Sequence, residues 1–423
     1  MKKILIISFY FPPTGGGGVQ RILKFVKYLP EFGVTSIVAA SKGIKNYTKD
    51  ESLLKEIPEN TEVIYLPTYS LLNLKNKSKK SLINKALSLI NLFIICEGLF
   101  SWYFLNRKKV FSTIKEKNID TILTTSPSNA THLFGLYLKK KIKNIKWIAD
   151  FRDEWTKNPE RINNKRILKN NFIIKLIEKK IEKEVFKKSD KIIFVSPPIV
   201  EKYMKALSPK KIEIITNGYD EEDFTEINKN LKSDKNTFKI LYYGSLYGAL
   251  KPYNFIRAFN EFVQNDNKKV KVDFIGKIEK LDEIKKMLNE KKIEEFFTFK
   301  ENIEHKKLLE KANQYDLLLL FVSWPYKDVI PAKTFEYMRL DVPILAMTPP
   351  DSISGEIIKK SKTGAEVNYD NINKIKNALS IFYNKWKAGL LLSEYKKNKN
   401  WKMVEKYERK NLTKKLANLI MSL

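Results

Sequence analysis

Cysteine and histidine are nearly absent from this sequence of 423 residues, which contains one Cys and two His. Cys96 alone excludes an internal disulfide and any metal site built from several cysteines. His132 and His305 do not form a histidine cluster of the kind that binds a metal. This usage of cysteine is typical of a protein of the reducing cytoplasm.

Acidic residues are too few to balance the basic ones, since 79 Lys and Arg face 48 Asp and Glu and give a net charge of +31. The basic residues are dispersed and mixed with acids, and no zinc-finger spacing, basic heptad region or RNP-like run is present. Nucleic acid is therefore not expected as a partner. The charge has two interpretations, a composition bias of the whole genome or selection for an anionic partner.

No apolar run is both long and uninterrupted. The start, MKKILIISFYFPP, is short and ends at Pro-Pro without a small-residue cleavage site, so it predicts a buried strand rather than a signal peptide. The stretch 82–105 is long enough to cross a membrane, but polar residues interrupt it. Phe93 and Phe100 of this stretch lie near Lys clusters, which predicts either ordinary core packing or peripheral contact with an anionic membrane.

What the chain does contain is a repeated alternation of buried strands and amphipathic helices. The clearest example is 315–347, where apolar runs at 317–322 and 343–347 are separated by a loop and a short helix. Continuous apolar runs are typical of central parallel strands, which need helices on both faces. The sequence therefore predicts an α/β protein with two Rossmann-like, doubly wound domains that face a central cleft.

Composition also indicates where the domains begin and end. The polar segment EEDFTEINKNLKSDKN has no apolar stripe and marks a boundary. We predict an amino-terminal domain over 1–217, a connector over 218–236 and a second domain over 237–400. Residues 401–423 are predicted to form a final helix that packs back on the amino-terminal domain.

A glycine-rich loop, GGGGVQR, follows the first predicted strand and precedes an amphipathic helix over 19–32. It lacks the Gly-Lys-Ser/Thr ending of a P-loop, and the third glycine of the dinucleotide fingerprint would fall on another residue. The loop is therefore no evidence for ATP or NAD. Gly16 and Gly17 still allow a ligand to approach the backbone, and the helix N-terminus favours an anion. The alternative is a flexible turn.

Six short sequence strings occur along the chain in an order that matches a known protein family. They are SFYFPPTGGGGVQR, TTSPSNATH, DFRDEW, ITNGYDEEDF, YYGSLYGALKP and IPAKTFEYMRLDVPILA. Together they resemble the family 4 glycosyltransferases of the GT-B fold, of the bacterial surface-polysaccharide type, across essentially the whole chain. The resemblance implies a retaining enzyme that binds a UDP- or GDP-sugar in its second domain and a lipid-linked or saccharide acceptor in its first. It also implies polysaccharide or lipopolysaccharide assembly, with the protein peripheral at the inner face of the membrane.

The resemblance further assigns a carboxylate pair at the donor site. The family's pair is two Glu separated by seven residues, and it matches Glu336 and, eight positions earlier, Asp328. In the family the second carboxylate grips the ribose hydroxyls and the first reaches a hydroxyl of the donor sugar. Asp328 is one methylene shorter than the family's Glu, which puts that first role in question.

Other donor-side residues also follow from the resemblance. Lys251 matches the family's phosphate lysine, whereas Ser245 stands where the family often has an Arg. Lys333, beside the helix N-terminus, is expected to substitute for that Arg, and Thr334 follows it. No Asp-x-Asp motif follows an apolar strand, so neither a metal nor another cofactor is expected and the nucleotide sugar serves as co-substrate.

Acceptor-side candidates follow two strands of the first domain. Asp153, in DFRDEW, is the candidate that orients or deprotonates the acceptor hydroxyl, unless its neighbours hold it in a structural role. Arg152 lies on the same loop. His132 is expected either to serve the acceptor or a phosphate, or to pack on a helix capped by Ser126 or Ser128.

Two alternative functions stay open at this point. One is a nucleotide-sugar epimerase of the same fold, for which the chain offers few histidines for proton chemistry. The other is a non-catalytic scaffold for membranes or nucleic acid, which would bind polyanions and gain no stability from nucleotides.

Overall fold

The computed structural model describes residues 1–42, 49–68, 99–158, 172–225, 227, 236–264 and 268–423. They divide into two compact units, one formed by Met1–Thr216 with Lys410–Leu423 and the other by Asn217–Arg409. The predictions made for Phe93, for Cys96 and for the part of the stretch 82–105 that precedes residue 99 fall outside the described residues. Each unit is built on its own parallel sheet.

The first unit has a seven-stranded sheet in the order β3-β2-β1-β4-β5-β6-β7, with parallel neighbours throughout. Its strands are β1 (Lys2–Ser8), β2 (Val34–Ser41), β3 (Glu62–Leu66), β4 (Thr121–Thr125), β5 (Lys146–Phe151), β6 (Lys191–Phe194) and β7 (Ile212–Ile214). Its helices are α1 (Gly17–Tyr28), α2 (Phe100–Glu116), α3 (Ala130–Lys141), α4 (Phe172–Lys188) and α5 (Pro197–Tyr203).

Helices cover both faces of this sheet. On one face Ile4 and Ile6 pack with apolar residues of α1, and the last helix of the chain adds Leu412 and Leu416 to the same cluster. On the other face α3 packs against both α2 and α4. Because each of these three helices returns the chain from one parallel strand to the next, they run antiparallel to the strands and their first turns lie at the carboxyl edge of the sheet.

The second unit has a six-stranded sheet in the order β10-β9-β8-β11-β12-β13, again parallel throughout. Its strands are β8 (Phe238–Tyr243), β9 (Val270–Ile275), β10 (Phe297–Lys300), β11 (Leu317–Phe321), β12 (Ile344–Thr348) and β13 (Gly364–Asn368). Its helices are α6 (Tyr253–Val263), α7 (Leu281–Glu290), α8 (His305–Ala312), α9 (Ala332–Arg339), α10 (Ile353–Ser361), α11 (Ile372–Lys387), α12 (Leu391–Asn398) and α13 (Trp401–Glu405).

The continuous apolar run of β11 is explained by burial on both sides. Leu317 and Leu319 belong to one core cluster, whereas Leu318 and Leu320 belong to the cluster on the opposite face. All four are completely buried. The predicted fold class, two Rossmann-like α/β domains with parallel sheets, is therefore confirmed.

The prediction of one helix over 401–423 is wrong in detail, because the chain breaks between α13 and a last helix, α14 (Arg409–Met421). At the break the backbone bonds to Tyr219 instead of continuing the helix. Tyr219 N–H donates to the Tyr407 carbonyl (3.1 Å), and Arg409 N–H donates to the Tyr219 carbonyl (2.7 Å). A partner almost two hundred positions away cannot be read from local periodicity.

Candidate active site

Two glycines shape the carboxyl ends of β8 and β9 in the second unit. Gly244 has φ +106°, and a Cβ there would lie 2.7 Å from the Lys333 Nζ. Gly276 has φ +138°, and its Cβ would lie 2.5 Å from the Gly244 carbonyl oxygen. Both positions therefore need glycine for backbone conformation, and Gly276 needs it also for space because a Cβ there would meet backbone. The two loops meet backbone to backbone beside the Lys333 side chain.

The ammonium of Lys333, in the first turn of α9, is held at the end of β8. Its Nζ donates to the Tyr242 hydroxyl (2.7 Å) and to the Tyr243 carbonyl (2.9 Å), and it lies 4.1 Å from the centre of the Tyr242 ring. Burial lowers the pKa of Lys333 to about 7, although the charge of Glu336 acts in the opposite direction. An anion bound beside this ammonium would stabilise its protonated form.

Glu336 lies one turn further along α9, between two donors. Its Oε1 is 3.0 Å from His305 Nε2, and its Oε2 accepts a hydrogen bond from the Tyr243 hydroxyl (2.9 Å). Burial acts to raise the pKa of Glu336, but hydrogen bonds from His305 and Tyr243 and the charge of Arg409 hold it below its usual value. The carboxylate is therefore ionised, and each oxygen keeps a second lone pair for a hydroxyl donor.

The remaining donor-side candidates have separate surroundings in the second unit. Asp328 is half-buried in the loop between β11 and α9. Ser245 is exposed, and its carbonyl accepts from the Tyr242 hydroxyl (3.0 Å). Lys251 is half-buried near Glu283, whose pKa is lowered mainly by hydrogen bonds from Lys280 and Tyr253 and to a smaller extent by the charge of Lys251. Thr334 is completely buried.

In the first unit, Arg152 holds the glycine-rich loop. Its guanidinium donates to the carbonyls of Gly18 (2.5 Å) and Gly17 (3.2 Å). The backbone N–H of Arg152 donates to Ser126 Oγ (3.2 Å). Gly16 has a φ of +93°, a backbone conformation that favours glycine. No described atom lies within 4 Å of a Cβ built at Gly16 or Gly17. The loop is thus anchored from one side and open above Gly17.

Beneath this loop lies a buried ion pair that sequence reasoning did not assign. Arg21 Nε and Nη2 donate to both oxygens of Asp150 (3.0 and 2.8 Å), and both side chains are fully buried. Arg21 also donates to the carbonyls of Ile215 (2.8 Å) and Thr216 (2.7 Å), and Thr125 donates to Asp150. The pair fastens α1 to the ends of β5 and β7, which is a structural role.

Asp153 and His132 have very different surroundings. Asp153 is half-buried beside Arg152, whose pKa burial lowers while the charge of Asp153 acts in the opposite direction. His132 is fully buried, bonds through Nδ1 to Thr124 Oγ1 (2.9 Å) and stacks on Phe151 with ring centres 4.3 Å apart. Burial lowers the pKa of His132 to about 3, so the ring is neutral. These surroundings favour the packing interpretation of His132, on a helix where Ser128 Oγ accepts from the Ala130 N–H (3.2 Å).

Two further observations bear on metals and membranes. Among the described ranges, no group of three or more His, Cys, Asp or Glu is placed to bind a metal ion. Within the same ranges, no helix is long and apolar enough to span a bilayer.

The residues that sequence reasoning missed are His305, Tyr242 and Tyr243. His305 is 31 positions from Glu336 and begins α8, whereas the two tyrosines end β8. The tyrosines reach α9 because β8 and β11 are neighbours in the sheet, whereas His305 begins the helix that leads into β11. In the sequence the two tyrosines open the string YYGSLYGALKP, and all three residues stand at a strand end or helix start, where ligands of such sheets bind.

Two family models match the chain. The model described as Glycosyltransferase Family 4 matches residues 15–223, and the model described as Glycosyl transferases group 1 matches residues 223–400. Together they span nearly all of the sequence. No curated protein matches the chain.

Solved structures with the same fold are similar over the full length. Sucrose-phosphate synthase from Thermosynechococcus elongatus has a TM-score of 0.68 at 14% identity, covering 100% of this chain and 99% of that one. WaaG, a glycosyltransferase involved in lipopolysaccharide biosynthesis, has a TM-score of 0.65 at 14% identity, with 100% of both chains covered. Anabaena HepE in complex with UDP and glucose has a TM-score of 0.64 at 14% identity, also with 100% of both covered. At such identities the likeness shows the fold.

Proposed function

The chain belongs to the glycosyltransferases of family 4 and group 1, and from this premise we propose that it moves a sugar from a nucleotide sugar to an acceptor of polysaccharide or lipopolysaccharide assembly. The observation that carries the proposal is the α9 arrangement, in which Lys333 and Glu336 are held side by side at the carboxyl edge of the second sheet. Ligands of open parallel sheets bind at that edge.

In the donor site, Glu336 would bind the ribose and Lys333 the diphosphate. An ionised carboxylate with free lone pairs suits two adjacent ribose hydroxyls. The Lys333 ammonium and the partial positive charge at the N-terminus of α9 suit a phosphate. UDP is the first nucleotide to test, because HepE was solved with UDP and with UDP-glucose.

The chemical step needs charge stabilisation at the leaving group. When the sugar bond breaks, negative charge develops on the departing diphosphate, and fixed cationic donors such as Lys333 lower the barrier. Asp328, on the preceding loop, would contact a hydroxyl of the donor sugar, as expected from the family pattern. Retention of configuration at the anomeric carbon also follows from the family, and the proton spectrum of the product tests it. An inverted product would refute it.

Acceptor binding is assigned to the first unit. Asp153 is the half-buried carboxylate that follows Arg152, whose guanidinium holds the Gly17 and Gly18 carbonyls, and it would orient the attacking hydroxyl and receive its proton. The open space above Gly17 suits close approach of a substrate. In this account His132 supports the fold and does not touch the acceptor.

A lipid-linked acceptor on the inner face of the membrane is supported by exposed apolar side chains on the second turn of α2 and the first turn of α4. Phe104 and Leu105 are 50% and 55% exposed, and Phe172 and Ile173 are 74% and 59% exposed. Arg107 lies over the Phe104 ring at 3.6 Å, as suits a surface that meets anionic headgroups.

The membrane contact can be tested with vesicles of anionic lipid. Phe172→Ser with Ile173→Ser should release the protein from vesicles at moderate salt, whereas Ile381→Ser, at a 57% exposed position of the second unit, should not. Equal sedimentation of the wild type, the double variant and the Ile381→Ser control with the vesicles would refute the contact.

The proposed activity is tested by a thermal-stability panel with UDP, GDP, ADP and their sugars. A ligand that binds the native state raises the melting temperature. At a concentration of one hundred times its Kd, it raises the free energy of unfolding by about 2.7 kcal/mol. We expect one nucleoside diphosphate to stabilise the protein and its sugar to be consumed only when an acceptor is present. Sugar interconversion without acceptor would indicate an epimerase, and stabilisation by polyanions alone would indicate a scaffold.

A further inference from the structure

A recess of about 290 Å³ opens on the sheet of the second unit, away from α9. Four lysines and one aspartate take part in its lining, namely Lys239, Lys271, Lys300, Lys311 and Asp273. Lys239 and Lys271 are the second residues of β8 and β9, so the recess lies toward the amino ends of the strands. Lys239 and Tyr243 are four residues apart on β8, which is about 13 Å at the rise of a strand.

The strand register explains why these side chains converge. Lys239 pairs with Lys271, and Asp273 pairs with Thr298 of β10. Paired residues of parallel strands point to the same face of a sheet. Leu241 and Ile275, further along that face, are buried in the core cluster that includes Leu309 of α8. The polar residues occupy the part of this face that is open to solvent.

The charge of Asp273 is already neutralised. Its Oδ2 accepts hydrogen bonds from Lys300 Nζ (2.8 Å) and from the Tyr315 hydroxyl (2.6 Å). Burial acts to raise the pKa of Asp273, but these hydrogen bonds hold it below its usual value. The carboxylate of Asp273 is therefore paired with Lys300, and it forms no ion pair with the other three lysines of the recess.

The other three lysines have no acidic partner. Among the described residues, no carboxylate forms an ion pair with Lys239, Lys271 or Lys311, although exposed lysines elsewhere in this unit do form such pairs. The nearby Asp316 is buried, and its Oδ2 accepts the backbone N–H of Lys239. Three like charges around one recess repel one another, and no contact within the described chain offsets this.

We propose that this recess binds a small anion that carries at least two phosphoryl groups. Lysine ammonium groups bind phosphate as point charges, and three of them here are unpaired. The volume is near the lower end of the roughly 300–1,000 Å³ of small-molecule sites, so it suits a compact ligand of several groups better than a single small ion. The site is separate from the donor site and does not depend on the proposed function.

The test uses inorganic tripolyphosphate and isothermal titration calorimetry on the full chain, at fixed salt because salt screens exposed charges. Lys239→Ala with Lys311→Ala should weaken binding about tenfold or more, since hydrogen bonds to charged groups are the strong ones. The control is Lys285→Ala with Lys286→Ala, an equal loss of charge at two exposed positions of α7, and it should change binding less than about twofold. Asp273→Asn should tighten binding, because it removes the negative charge and frees Lys300.

Three results would overturn the proposal. Equal loss in the two double variants would mean general attraction by the net charge. Loss confined to Lys333→Met would mean that tripolyphosphate binds at the donor site. Unchanged or weaker binding by Asp273→Asn, with the melting temperature of the wild type, would mean that this carboxylate does not face the anion.

Discussion

Arg21 and Asp150 of the first unit are both fully buried and satisfy one another, whereas Glu336 of the second unit keeps 21% of its side chain exposed and lies near a lysine with a lowered pKa. The first pair is enclosed by backbone carbonyls and a threonine. The second pair is held by tyrosines and a histidine at a sheet edge. A buried ion pair whose hydrogen-bonding groups are all satisfied stabilises the fold and is not available to a ligand. A partly exposed carboxylate and a neighbouring lysine can form hydrogen bonds with a ligand.

The largest expected effect is on the buried pair. Arg21→Met leaves the Asp150 carboxylate uncompensated, so we expect the free energy of unfolding to fall by about 3–5 kcal/mol, measured by urea denaturation. Lys2→Met, which removes an ion pair with the exposed Asp120, should cost less than about 1 kcal/mol. Similar small losses in both variants would show that the buried pair does not hold the first unit together.

Asp153 sharpens the comparison within the first unit, because it is half-buried where Asp150 is enclosed. Asp153→Asn should lower turnover about a hundredfold or more, as expected for loss of a general base, and leave UDP affinity and stability unchanged. UDP release in the presence of acceptor measures the turnover. A stable variant with wild-type turnover would leave Asp153 a structural role only.

Lys333 distinguishes phosphate binding from nucleoside binding. Lys333→Met should weaken UDP by about 1.5–3 kcal/mol, tenfold or more, and leave uridine unaffected. Because the pKa of Lys333 is near 7 in the free protein, UDP affinity of the wild type should fall as pH rises above 7. Calorimetry at several pH values checks this. The same pH dependence in the Lys333→Met variant would contradict the assignment.

Much of the second unit could be predicted from the sequence, because residues 317–321 form a continuous apolar run and α9 follows at the strand end. The hydrogen-bond partners of Glu336 could not be predicted from the sequence. Tyr243 meets Glu336 because β8 and β11 are adjacent, and His305 because α8 begins after β10 at the carboxyl edge of the same sheet. Strand order is not contained in local periodicity. Arg21 stood in a recognised string, but its partner Asp150 is 129 positions away.

His305 is expected to have the smallest effect, because it acts through Glu336. His305→Ala should weaken UDP about fivefold, the value of roughly one hydrogen bond, whereas His305→Gln keeps an N–H donor and should retain most of the affinity. Turnover at saturating donor should change little in both variants. Equal Kd values for His305→Ala and the wild type would show that His305 does not position the carboxylate.

The affinity of UDP for Glu336→Gln, measured by calorimetry, tests the central claim most directly, namely that the α9 carboxylate binds the nucleotide. The exposed Glu301→Gln provides a control of the same charge in the same unit. We predict that Glu336→Gln weakens UDP about tenfold or more, with the unfolding transition and the control affinity unchanged. A Kd for Glu336→Gln equal to that of the wild type would contradict the account.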